Sequence, residues 1–326
     1  MTSRLPPVTP ALALYVLAAF FTTPAHAQPY PTKPIRLIAP SSPGSGVDLI
    51  SRIIAQPLSA ELGQQVVVDN RAGAGGNIGA EIAAKSVANG YTLIMATPSQ
   101  VINAVLYKNL SRDLLGEFTP VSLATSGQFV LLVNLSVPVK SVQQFIQLAK
   151  AKPGTLHYAS AGNGNVTHLA GELFKSAAGV DLVHVPYKGS GPALTELMGG
   201  QVQAMFANIA AALPAIRSGK VQALGSSGTK RAATAPDLPT IAESGVPGYE
   251  VGAWFGILAP KGTPREIVAK LNTVTVKVLR STDTRERLSR EGLDPIGSSP
   301  GEFATHLQSE ARKWARAVEI SGARAN

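Results

Sequence analysis

Short apolar runs alternate with Ala-rich stretches of helical period along most of this chain, and Gly, Pro and Asn mark the turns between them. That alternation restricts the fold more than any other feature, because strands that each hand over to a helix build a parallel sheet covered by helices. The pattern predicts strands at 35–39, 65–68 and 92–96, helices at 47–62 and 78–87, and a helical or turn segment after 96. It breaks at 119–134, a long Val- and Leu-rich run suited to crossing from one sheet to another. The alternation then restarts, with a helix at 141–150 and strands at 156–159, 181–185, 203–206 and 221–224. A second long strand at 251–259 suits a return crossing, and helices follow at 264–279, 283–291 and 300–320. Two crossings split the chain into a discontinuous lobe, 28–125 plus 251–326, and an inserted lobe, 126–250. Lobes joined by two strands close on a ligand by hinge motion.

At the N-terminus Arg4 precedes an apolar run from Ala11 to Phe21 and the small-residue sequence Ala25-His26-Ala27. This reads as a signal peptide, residues 1–27, cleaved after Ala27, which predicts a periplasmic protein. The run falls short of the roughly 20 apolar residues that span a bilayer. The remaining length, roughly 300 residues, suits two cores of ordinary size. With no cysteine in the chain, disulfides, thiolate metal sites, cysteine nucleophiles and a cysteine-linked lipid anchor are all excluded.

The formal net charge is +9, but the basic residues are scattered and the longest cluster, Lys230-Arg231, has no aromatic neighbours for stacking on bases. No nucleic-acid partner is expected. The histidines after the signal segment, His157, His168, His184 and His306, show no metal-ligand spacing, and no G-x-S-x-G elbow occurs. No metal, no cofactor and no catalytic residue is therefore predicted, and the protein reads as a non-enzyme. The stretch Gly73-Ala74-Gly75-Gly76-Asn77-Ile78-Gly79 imitates a dinucleotide fingerprint, but its G-x-G-x-x-x-G spacing is one residue too long.

Gly-rich turns stand at the predicted strand ends: 41–48, 73–77, 160–165 and 189–191. Glycine lets the backbone approach a ligand, and a helix N-terminus presents unpaired N–H groups with a partial positive charge. The same residues also serve ordinary capping and turn geometry. The first loop of each lobe is the better anion seat, since ligands of open parallel sheets bind beyond the carboxyl ends of the strands. Those loops contain Ser42, Pro43, Gly44, Ser45, Gly46, Val47 and Asp48 in one lobe, and Ser160, Ala161, Gly162, Asn163 and Asn165 in the other. Asp48 suits either the helix N-terminus or a ligand. His168, just after the second loop, is open between packing and ligand contact, while His157 and His184 fall inside predicted strands as packing residues.

An ordered series of motifs resembles one family over nearly the whole chain. It runs through Tyr30-Pro31-x-Lys33-Pro34-Ile35, the Pro43-Gly44 loop ending in Asp48, Asn70-Arg71-x-Gly73-Ala74-Gly75-Gly76 and Gly90-Tyr91-Thr92-Leu93. It continues through Tyr158-Ala159-Ser160-x-Gly162-x-Gly164, His168-Leu169-Ala170, Val185-Pro186-Tyr187-Lys188-Gly189, residues 219–224, Leu238-Pro239-Thr240 and Ala259-Pro260-x-Gly262-Thr263-Pro264. In these respects the chain resembles the Bug-type solute receptors of tripartite tricarboxylate transporters. The resemblance implies a type II periplasmic-binding-protein fold: α/β, two lobes each with a central mainly parallel sheet flanked by helices, joined by two crossover strands. It further implies a small organic acid held between the lobes by the loops at 43–48 and 160–165, with Ser99, Ala207 and Asn208 bordering the cleft by position. The implied partner is the membrane permease of such a transporter, with a sensor kinase as the alternative, and the receptor is expected to act as a monomer. Three residues depart from the family pattern: Ser45 where a second glycine is common, Val47 where a small hydroxyl residue is frequent, and Asn89 where aspartate usually stands.

Overall fold

Ile35, Leu37, Ile38 and Ala39 are all fully buried, so strand β1 (Ile35–Ala39) is covered on both faces, as a near-continuous apolar run requires of a parallel sheet. The computed structural model describes residues 30–106 and 116–321; the expected signal peptide, 1–27, lies outside them. After β1 come helix α1 (Gly46–Leu62), strand β2 (Val66–Asn70), a short 3-10 turn (Ala74–Gly76), helix α2 (Asn77–Ala84), strand β3 (Thr92–Ala96) and helix α3 (Pro98–Leu106). A long strand β4 (Phe118–Val133) leads to helix α4 (Val142–Ala151), strand β5 (His157–Ser160), helix α5 (Val166–Ala178), strand β6 (Val183–Pro186) and helix α6 (Ser190–Met198). Then follow β7 (Ala204–Asn208), α7 (Ile209–Arg217), β8 (Gln222–Ser226), β9 (Gly252–Pro260), α8 (Arg265–Arg280), α9 (Thr282–Arg290), β10 (Leu293–Pro295) and α10 (Pro300–Ser321).

The strands are wired twice in the same way. One set runs in the order β2-β1-β3 and the other in the order β6-β5-β7, with parallel pairing throughout each. The two long strands run against these sets: β9 pairs antiparallel with β3 and β4, and β4 pairs antiparallel with β7 and β8. β4 is the crossing predicted at 119–134, since its first part through Gln128 pairs with β9 and its second part from Phe129 pairs with β7. The result is a mixed sheet in which the parallel ladders expected of each lobe flank antiparallel crossovers.

Helix starts follow local chemistry. Ser45, Asn165 and Asn208 are N-caps of α1, α5 and α7, their side-chain oxygens accepting from the backbone N–H groups of Asp48, Thr167 and Ala210. Each such cap contributes about 1 kcal/mol. Gly63 and Gly179 close α1 and α5 in the left-handed conformation. Beyond end shifts of one or two residues, two elements differ from the sequence expectation: α2 stops at Ala84 rather than 87, and β10, three residues beside Thr125–Gly127 of β4, carries too few residues for a period to register.

The terminal helix α10 packs against β4 and reaches β9 through Phe303. A Cβ on Gly256 of β9 would collide with the ring of Phe303, itself fully buried. Gly256→Ala is expected to destabilise the protein by about 1–3 kcal/mol through overpacking, read as a lower midpoint in urea unfolding.

Candidate functional site

β1 lies between β2 and β3, and β5 lies between β6 and β7. The connections leaving each central strand therefore depart to opposite sides, which opens a crevice at its carboxyl end. The loops that follow these strands are the ones singled out from sequence, and a narrow cavity of about 40 Å³ lies between them. Ser41, Ser45, Gly46 and Val47 line it from the first loop and α1; Gly75, Thr97, Ser99 and Gln100 add to that side. Asn165, Val166, Thr167, Ser190 and Asn208 line it from the other, and Phe129, Ala253, Trp254 and Phe255 of the crossovers supply apolar surface. No charged side chain is among the lining residues.

Several polar groups there are donors in need of an acceptor. The N–H groups of Gly46 and Val47, in the first turn of α1, have no hydrogen-bond partner among the described residues. Such groups carry the positive end of the helix dipole, roughly half an elementary charge. Gln100 Oε1 accepts from Thr97 N at 2.8 Å and Thr97 Oγ1 at 3.0 Å, so its Nε2 faces the other way, buried and unpartnered. Asn208 Oδ1 accepts from Ala210 N at 3.1 Å, which leaves Asn208 Nδ2 buried and unpartnered in the same manner. A buried amide left unsatisfied costs about 1–3 kcal/mol, so each of these groups favours an acceptor. The two sides already touch across the crevice: Val166 N donates to Ser99 Oγ at 3.1 Å, and a Cβ on Gly75 would collide with the carbonyl of Asn163.

The remaining residues expected from sequence shape the loops. Pro43 and Gly44 are exposed at the tip of the first loop, and Ser42 is buried with its hydroxyl unpartnered against Gly189. Asp48 turns inward, accepting from Gly44 N at 2.9 Å and pairing with Arg52 Nε at 2.9 Å, so its carboxylate braces the loop. Ala161 N donates to Thr167 Oγ1, Gly162 takes φ +126° with its N–H on Ser160 Oγ, and Ala207 pairs with Val130 in the ladder. Sequence reading did not single out Thr97, Gln100, Phe129 or Trp254, and gave Ser190 only as part of the Gly-rich turn at 189–191. For Gln100 a signal existed: Thr97-Pro98-Ser99-Gln100 has capping-box spacing, and the bond from Thr97 N to Gln100 Oε1 is half of that motif.

His168 and His184 form a stacked pair under the second loop, with ring centroids 4.0 Å apart. His184 Nε2 lies 2.6 Å from Ser160 Oγ, and His168 Nδ1 accepts from Gly164 N at 3.3 Å, so both rings hold the loop from below and neither lines the cavity. Burial, with the neighbouring His168 and Lys175 charges, pushes His184 down to about 3, and burial likewise lowers His168. A base held below its unfolded value favours folding above that value, and the contribution is lost as pH falls through the window below it. Stability is therefore expected to decline as pH drops from about 6.5 toward 3, and His184→Gln is expected to flatten that decline in melting temperatures recorded across the window.

Two similarly wired halves around a neutral, donor-rich cavity define a two-lobed solute-binding protein. The chain belongs to the tripartite tricarboxylate transporter family receptors, TctC, whose family model matches residues 50–322. Among solved structures it is similar to R. palustris Rpa4515 with adipate, at TM-score 0.87 and 39% identity over 90% of this chain and 98% of that one. It is similar to the periplasmic binding protein BugD, at TM-score 0.88 and 31% identity over 91% of this chain and 100% of that one. MatC (Rpa3494) from Rhodopseudomonas palustris with bound malate matches at TM-score 0.84 and 34% identity, over 89% and 100% of the two chains.

Proposed function

We propose that this protein captures a small organic carboxylate, foremost a dicarboxylate, and delivers it to the membrane permease of a tripartite tricarboxylate transporter. The observation that carries the reading is the cavity itself: buried donors without acceptors, Gln100 Nε2, Asn208 Nδ2 and the first N–H groups of α1, with no charged side chain among the lining. A carboxylate supplies acceptors to such donors, as phosphate does at other helix N-termini. Adipate and malate in the two R. palustris relatives support the dicarboxylate class.

Capture takes place in the periplasm, after export directed by residues 1–27. The lobes 28–125 with 251–326 and 126–250 close about β4 and β9, and the change of β4's partner between Gln128 and Phe129 supports a hinge there. Among the described residues no helix is long and apolar enough to cross a membrane. The protein acts by binding and release, without chemistry on its ligand.

Ligand-stripped protein, refolded from denaturant, is expected to melt at higher temperature with adipate or malate but not with the matching diamides. Equal response to acids and amides, or to neither, counts against the reading. Asn208→Asp separates capping from recognition: the new carboxylate still accepts from Ala210 N, so α7 stays capped, but it replaces a donor by a negative charge. Calorimetry is expected to register an affinity loss of roughly 10- to 100-fold at nearly unchanged melting temperature of the free protein.

A further inference from the structure

We propose that Glu310, on the terminal helix and outside the cavity, is a positioning residue that sets which acids the receptor accepts by locking Trp254. Trp254 belongs to the return crossover β9 and lines the cavity. Its indole N–H donates to Glu310 Oε2 at 2.8 Å, and the indole of Trp314 donates to the same oxygen at 2.9 Å. Phe303 and His306 meet the Trp254 ring edge-on, at centroid separations of 5.8 and 5.2 Å. Spacings of three and four residues put Phe303, His306, Glu310 and Trp314 on one face of α10, directed at β9.

Burying a carboxylate costs free energy that an apolar residue of similar size avoids, so packing alone does not call for glutamate here. Glu310 is only 8% exposed, with no cation paired to it among the described residues, and its hydrogen bonds go to indoles. What it supplies is geometry. An indole whose N–H is bonded to a fixed oxygen keeps its rotamer, whereas a free one turns about two side-chain torsions. The helix that carries Glu310 also packs against α3 and α5, whose first residues line the cavity from opposite sides. A fixed Trp254 thus gives the cavity a wall of defined shape, and a wall of defined shape separates acids that differ in length or branching.

The proposal rests on the carboxylate reading above, and the experiment separates the two. Dissociation constants for adipate and malate are measured by calorimetry for the native protein, Glu310→Leu and Glu310→Gln. The native protein is expected to discriminate between the two acids. Glu310→Leu is expected to bring their ratio roughly tenfold closer to unity, on the scale of one or two methylenes in a fitted pocket, and Glu310→Gln, which keeps an acceptor oxygen, to restore most of it. If the native protein binds neither acid, the carboxylate reading falls and this proposal with it. If it discriminates and folded Glu310→Leu discriminates equally, only the role of Glu310 is overturned. Should Glu310→Leu not fold, Trp254→Phe carries the test, because it keeps a ring and removes the bonded N–H; an unchanged ratio overturns the proposal.

The chain has two tryptophans, so Trp314→Phe leaves Trp254 as the sole indole emitter. Saturating ligand is expected to change its emission, and an unchanged spectrum contradicts its place at the ligand.

Discussion

Two side-chain oxygens, Gln100 Oε1 and Asn208 Oδ1, are each held by backbone N–H groups at the start of a helix, and what the cavity offers depends on the amide nitrogens left over. Either amide turned the other way would set an NH₂ against a backbone N–H, so the local fold decides which end faces the ligand. Joined by the free N–H groups of Gly46 and Val47, these nitrogens are the proposed seat for the carboxylate, one that needs no cation. The net charge of +9 therefore acts at most as a diffuse field, since among the described residues no basic side chain lines the cavity.

Placing such donors on opposite walls is the work of the doubled wiring. Because β2-β1-β3 and β6-β5-β7 share one order, each half carries a switch point, and the two crossover strands bring those switch points together. Contact between the halves then turns on small residues. Gly75 meets the carbonyl of Asn163 and the backbone around Gly162, and Gly189 meets Ser42, at approaches that leave no room for a Cβ on Gly75 or Gly189. The apparent dinucleotide fingerprint at 73–79 is explained in the same way: Gly75 admits the facing loop, and Gly79 packs against Pro40 and the carbonyl of Arg71.

Much of this was legible in the sequence, for identifiable reasons. β1 and β3 fall at 35–39 and 92–96 as expected because their apolar runs are buried and end in turn residues. The cap residues Ser45 and Asn165 were legible as polar groups beside glycine, but capping and ligand contact draw on the same residue types, so sequence left both roles open; Asn208 has no glycine beside it and came only from its position in the family pattern. Asp48 shows what geometry adds: its carboxylate accepts from Gly44 N and pairs with Arg52, which braces the loop. Gln100 was legible at most as the fourth residue of a capping box, because its unsatisfied nitrogen is a property of tertiary surroundings. Trp254 was legible only as a strand residue, since the carboxylate that fixes it comes from a helix 56 positions away.

The central claim is recognition of a carboxylate by neutral donors, and a crystal structure of the protein with adipate or malate tests it most directly. The account predicts carboxylate oxygens within hydrogen-bonding distance of the Gly46 and Val47 N–H groups, Gln100 Nε2 or Asn208 Nδ2, with no lysine or arginine in contact. A ligand carboxylate paired with a lysine or arginine side chain, or seated away from these donors, would contradict it.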